Sequence, residues 1–101
     1  MTKTVNVATK FKLGKLLMTR GVNDRVAQDT EFSKFVLDSL RRHARGDWGD
    51  MCQEDKAENG LALRQGNLRI FSAYEEGDLP KIWIITEADH SATTILFPEE
   101  Y

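Results

Sequence analysis

Apolar positions at helical spacing mark one segment of this chain clearly. Phe32, Phe35, Val36, Leu40 and His43 fall at i, i+3, i+4, i+8 and i+11, so they share one face of a helix. Lys34, Asp38, Arg41 and Arg45 occupy the opposite face. Asp29 or Thr30 supplies the N-cap, and Glu31 in the first turn suits the positive end of the helix dipole. Gly46 is a natural left-handed stop. The C-terminal third has the rhythm of strands. Residues 68–74, 81–87 and 92–97 are apolar or β-branched runs separated by Gly, Pro, Asp and Ser clusters. The four consecutive apolar residues Ile82, Trp83, Ile84 and Ile85 suit a central strand covered on both faces.

The rest of the chain fits around these elements. Residues 13–19 read as a first strand, weakened by Gly14. Residues 22–28 read as a short helical turn or loop. A second helix is expected over 51–65, capped by Asp50 with Gln53 at the capping-box position and ended by Gly66. Its apolar stripe is thin, mainly Ala57 and Leu61, so a surface position is expected. Residues 1–12 carry no large apolar side chain before Phe11 and are expected to be a mobile leader. The reading is a single α+β domain over 13–101, ordered β-α-α-β-β-β. Its helices pack on one face of a largely antiparallel four-stranded sheet. The first and fourth strands are expected to leave an exposed edge, which allows a homodimer.

Composition narrows the class. A chain of 101 residues is one domain, and 41% hydrophobic with 30% charged residues is ordinary for a globular protein. No apolar run approaches the roughly 18–20 residues of a membrane span, and no signal-peptide pattern is present. The single Cys52 cannot form an internal disulfide, so a reducing cytoplasm is the expected compartment. Charge divides unevenly. Residues 1–46 hold ten Lys/Arg and four Asp/Glu, a net +6; residues 47–101 hold four and twelve, a net −8.

The sign changes at residues 41–50, and the candidate chemistry gathers there. Arg41, Arg42 and Arg45 form a basic cluster at the helix C-terminus, where the dipole welcomes cations. With Arg20 and Arg25 nearby, the cluster could grip phosphate or an acidic protein. In Gly46-Asp47-Trp48-Gly49-Asp50, Asp47 is either a binding group or a carboxylate that bonds the amides of its own turn, and Trp48 is either a lid over the core or a recognition anchor. His43 is either a packed histidine or a chemical group, a catalytic base or a metal ligand. Cys52 is either a half-buried thiol or a nucleophile whose pKa the neighbouring Asp50, Glu54 and Asp55 raise. The acidic pairs Glu75/Glu76 and Glu99/Glu100 read as solvated turn and tail charges. No zinc, EF-hand, P-loop, dinucleotide or nucleophile-elbow pattern occurs, so no metal or cofactor is expected.

Four stretches carry a family resemblance: residues 15–22, 42–50, 79–89 and 92–101, with the Gly-Asp-Trp-Gly-Asp loop and the Glu-Glu-Tyr end as the most specific parts. Over residues 13–101 the chain resembles a small uncharacterised family of "plasmid-related" or hypothetical proteins of bacteria and mobile elements. The resemblance implies a mobile-element setting and carries no catalytic residues. Small proteins in that setting bind host defence or replication machinery, such as restriction or CRISPR complexes. The expected function is therefore a non-enzymatic, anti-restriction or anti-CRISPR type of binding protein acting through protein–protein contacts, with no membrane partner. The alternative is a small nucleic-acid-binding or nuclease module using the basic half. Its element order is similar to that of RelE-like ribonuclease toxins, although the acidic C-terminal half departs from them.

Overall fold

The computed structural model describes residues 11–50, 56–57, 59–61 and 68–101. The strands are β1 (Lys15–Met18), β2 (Ile70–Tyr74), β3 (Ile82–Thr86) and β4 (Ala92–Leu96). The helices are α1 (Arg20–Gln28) and α2 (Thr30–Ala44), and a 3-10 turn spans Pro98–Glu100. Residues 56, 57 and 59–61 are also helical. The remainder of the helix expected over 51–65 lies outside the described residues, as do residues 1–10 and Cys52.

Helix α2 forms for the reasons its sequence supplies. Asp29 caps it by accepting the Phe32 N–H at 3.2 Å. It ends in a left-handed cap: Gly46 has φ 85°, its N–H bonds the His43 carbonyl, and the Asp47 N–H reaches back to the Arg42 carbonyl at 2.8 Å. Helix α1 is a full nine-residue helix where only a turn or loop was expected. Its N-cap Thr19 makes no capping bond of its own. The cap comes instead from the far end of the chain. Glu100 accepts the Gly21 N–H at 3.0 Å and the Thr19 hydroxyl at 2.5 Å, placing a carboxylate at the positive end of α1. Glu100 is therefore not a free tail charge. The helix was hidden from sequence reading because its cap is 81 residues away.

The sheet order is β1-β4-β3-β2, with β2·β3 and β3·β4 antiparallel and β1·β4 parallel. Strand β3 is central, as its apolar run requires. Strand β4 is also interior, which corrects the expectation that it forms an edge: β1 returns to pair along its other side, so the edges are β1 and β2. One face of the sheet presents Tyr74, Ile82, Ile84 and Ile95 to Val22 of α1 and to Phe32, Phe35, Val36 and Leu40 of α2. Each of these is under one-tenth exposed. At about 1.5–3 kcal/mol per fully buried apolar side chain, this cluster is the main source of stability.

A smaller cluster joins Phe11, Trp48 and Ile70, with Leu13 packed against it. Phe11 is buried, so the domain begins before residue 13, and the expected leader does not extend through 1–12. The β2 edge is closed by the chain itself. Phe71 exchanges both backbone bonds with the side chain of Asn59. Ala73 receives the Asp50 N–H and donates to the Trp48 carbonyl, and the Glu75 N–H bonds the Asp50 carboxylate. Asp50 thus anchors the end of β2. Its expected role as a helix cap concerns residues beyond it that are not described.

Candidate functional site

The stretch from Arg41 to Asp50 folds into two distinct environments. Its outward side is basic. Lys34, Leu37, Arg41 and Arg45 lie exposed along one face of α2, with Asp38 at 3.7 Å from Arg41. Leu37, with 40% of its surface in water, sits in the middle of this stripe. Arg25 does not join the cluster. It pairs with Asp29 at 3.2 Å, at the opposite end of α2, about 20 Å away at a rise of 1.5 Å per residue.

The loop side is a latch. Arg42 grips Asp47 through two bonds, Nε to Oδ2 at 2.8 Å and Nη2 to Oδ1 at 3.2 Å. Its guanidinium also lies 4.9 Å from the Tyr74 ring centroid. Asp47 Oδ1 accepts the Gly49 N–H, and the Asp47 carbonyl accepts the Tyr74 hydroxyl at 2.6 Å. The Arg42 bond holds the Asp47 carboxyl below its ordinary range, and the same pairing raises the Arg42 guanidinium. Burial pushes the Tyr74 phenol up. Asp47 and Arg42 are committed to each other, which removes both from the free recognition groups the sequence suggested. Gly49, at φ 74°, crosses against Ala73: a Cβ there would stand 2.2 Å from the Ala73 carbonyl oxygen.

Trp48 is 8% exposed. Its ring packs edge-on against His43 at 5.7 Å and tilted against Phe11 at 6.2 Å. Of the two roles open to it in the sequence, the structure has the lid, and the exposed-anchor role is corrected. The physical reason is the Asp47–Gly49 turn and the Ala73 ladder, which aim the indole at the domain rather than at water.

Beneath the lid lies a chain of polar groups that the sequence did not signal. His43 is fully buried. Its Nδ1 is 2.5 Å from Ser72 Oγ and its Nε2 2.9 Å from Thr86 Oγ1. Thr86 Oγ1 is 2.7 Å from Thr93 Oγ1, which donates to the Leu13 carbonyl at 2.6 Å. Each hydroxyl has one proton, so the direction can be worked backwards. Thr93 spends its proton on Leu13 and must accept from Thr86. Thr86 must therefore accept from His43 Nε2–H, leaving Nδ1 to accept from Ser72. The relay is complete with a neutral imidazole. Burial lowers the His43 pKa from 6.5 to about 3. A base with both nitrogens occupied and a Phe–Trp roof is a structural histidine, as one of its two sequence roles required. Register explains why the partners converge. Thr86 pairs with Thr93 across β3·β4, and Ser72 pairs with Ile84 on β2·β3, so all three hydroxyls point to the α2 face.

Other candidates carry less. Among the described residues no group of three or more His, Cys, Asp or Glu is placed to hold a metal ion. A polar recess between the start of α2 and the β2–β3 turn is lined by Arg25, Asp29, Glu31, Glu76, Gly77, Asp78 and Leu79. Asp29 is already engaged there by the Phe32 N–H and Arg25. Among the described residues no helix is long and apolar enough to cross a membrane.

No family model, curated protein or solved structure matches this chain.

Proposed function

We propose that this protein is a small, non-enzymatic binding module that captures an acidic surface of a partner protein with the outer face of α2. The observation that carries the reading is the stripe of Lys34, Leu37, Arg41 and Arg45, exposed on one helix face. It combines three cations with an apolar centre. A phosphate backbone is met by charge alone, whereas a protein surface also rewards the buried area of Leu37. Cationic rims raise encounter rates, and the apolar centre slows release. The closed state of His43 supports the same reading, because its imidazole is not offered to a substrate.

The resemblance to plasmid-related proteins supplies the setting: a mobile element, a cytoplasmic partner, and host defence machinery of the restriction or CRISPR type as the target class. The test is capture from host extract with the wild type, Leu37→Asp and the double variant Arg41→Glu/Arg45→Glu. The expected result is a loss of at least about tenfold, or 1.4 kcal/mol, in affinity for the same partner in both variants, with unfolding midpoints unchanged. Equal capture by all three forms refutes the α2 face. Tight, salt-dependent binding to DNA or RNA that the double variant abolishes moves the assignment to the nucleic-acid alternative.

A further inference from the structure

The two edges of the sheet are treated oppositely. At β2 every outward backbone group of Phe71 and Ala73, and the N–H of Glu75, is met by Asn59, Trp48 or Asp50. At β1 nothing comparable is present among the described residues. The Lys15 N–H bonds the Ser91 carbonyl and the Thr19 N–H bonds the Ile95 carbonyl, both at 3.0 Å. These bonds fix the alternation of the parallel ladder. Lys15, Leu17 and Thr19 turn their backbone groups toward β4, and Leu16 and Met18 turn theirs to the open side. The same strand exposes its side chains: 53% of Leu16, 40% of Leu17 and 41% of Met18 face water. An apolar edge exposed in this way is a pairing surface.

We infer that β1 is a homodimer edge, pairing antiparallel with β1 of a second copy about a two-fold axis at Leu17. This register is the one the edge itself favours. It sets Leu16 against Met18 of the partner copy and the reverse, so the outward N–H and C=O groups of both residues exchange four hydrogen bonds. Leu17 meets its own symmetry mate on one face of the joined sheet, while the Leu16–Met18 pairs meet on the other. Charge agrees with the register. Lys15, the one charged residue of β1, comes opposite Thr19 of the second copy, whose hydroxyl holds the Glu100 carboxylate at 2.5 Å. No like charges face each other, and each lysine approaches a carboxylate. The occupant is a second copy because the pattern is self-complementary; an unrelated strand has no reason to match it. The interface uses neither α2 nor its basic face, so it stands or falls separately from the proposed capture function.

The experiment is equilibrium sedimentation of the full chain, with circular dichroism as the check on folding. The wild type is expected at twice the 11.5 kDa chain mass, dissociating on dilution. Leu17→Lys and Leu17→Glu should each raise the dimer dissociation constant at least tenfold by setting like charges on the axis. Mixed in equal amounts, the two should recover the dimer, since Lys and Glu then meet at residue 17. Lys15→Glu changes only an exposed side chain and should weaken the dimer several-fold. A wild type that stays monomeric across the accessible concentrations overturns the inference. So does a dimer that survives either Leu17 variant, a mixture that does not recover, or a Lys15→Glu dimer of unchanged strength.

Discussion

Acidification from pH 7 to pH 5 should destabilise this protein through His43. The imidazole is neutral in the fold, with a pKa lowered from 6.5 to about 3 by burial. The unfolded chain therefore binds one more proton than the folded chain between those values. Stability from keeping the ring neutral is complete above the unfolded pKa and declines as pH falls toward the folded one. At 1.36 kcal/mol per pH unit the whole span is worth about 5 kcal/mol, and the part lost by pH 5 is about 2 kcal/mol. That is a large share of the roughly 5–15 kcal/mol available to a small domain. The carboxylates of Asp29, Asp47 and Glu100 do not interfere. Bonds from Phe32 to Asp29, Arg42 to Asp47 and Thr19 to Glu100 lower those groups from 3.8 or 4.5, so their contributions fade only in more acidic solution. The assay is urea unfolding followed by tryptophan fluorescence at pH 7 and pH 5, in a His90→Asn background that leaves His43 as the sole histidine. Asn is chosen because residue 90 sits at φ 58°, where Asn is tolerated. His43→Gln should abolish the pH difference even if it lowers stability at both values. An equal pH dependence in His43→Gln, or a measured His43 pKa near 6.5, would refute the buried-neutral relay.

Three further outcomes follow from the loop and the termini. Trp48→Ala should cost about 3–5 kcal/mol, the range for emptying a buried aromatic site, and expose Phe11 and His43; differential scanning calorimetry showing an unchanged midpoint would contradict its role as a lid. Gly49→Ala should cost at least about 1–2 kcal/mol from the left-handed backbone alone, with more from the Ala73 carbonyl; chemical denaturation checks this, and a neutral effect would mean the loop does not cross β2 as described. Glu100→Gln should lose about 1 kcal/mol, the usual worth of a helix cap, with amide exchange rising at Gly21 and in the first turn of α1; exchange unchanged there would show that the carboxylate is not the cap.

Local rules carried the elements they govern. The i, i+3, i+4 spacing, the Asp29 cap and the Gly46 stop located α2, because all three act within a few residues of the helix. The apolar run 82–85 marked β3 as central, because burial on both faces leaves no polar alternation to maintain. The α+β class follows from the same short-range signals. What escaped the sequence depends on residues distant in the chain. Helix α1 needed Glu100, and Phe11 joined the core only because Trp48 and His43 were there to receive it.

The candidate site shows the same division. Sequence alone assembled Arg41, Arg42, His43, Arg45, Asp47 and Trp48 in one corner, since a helix end and a five-residue loop keep neighbours together. Tertiary structure decided which of them face water. It turned Trp48 inward by tying Asp50 and Trp48 to Ala73, spent Asp47 on Arg42, and closed His43 between Ser72 and Thr86. It also decided the edges of the sheet, by returning β1 to the side of β4 and leaving its other side open among the described residues. Hydrophobic spacing reports which side of an element is buried, but not which strand lies beside it. Strand neighbours are chosen by long-range packing, and with them the surfaces that remain for partners.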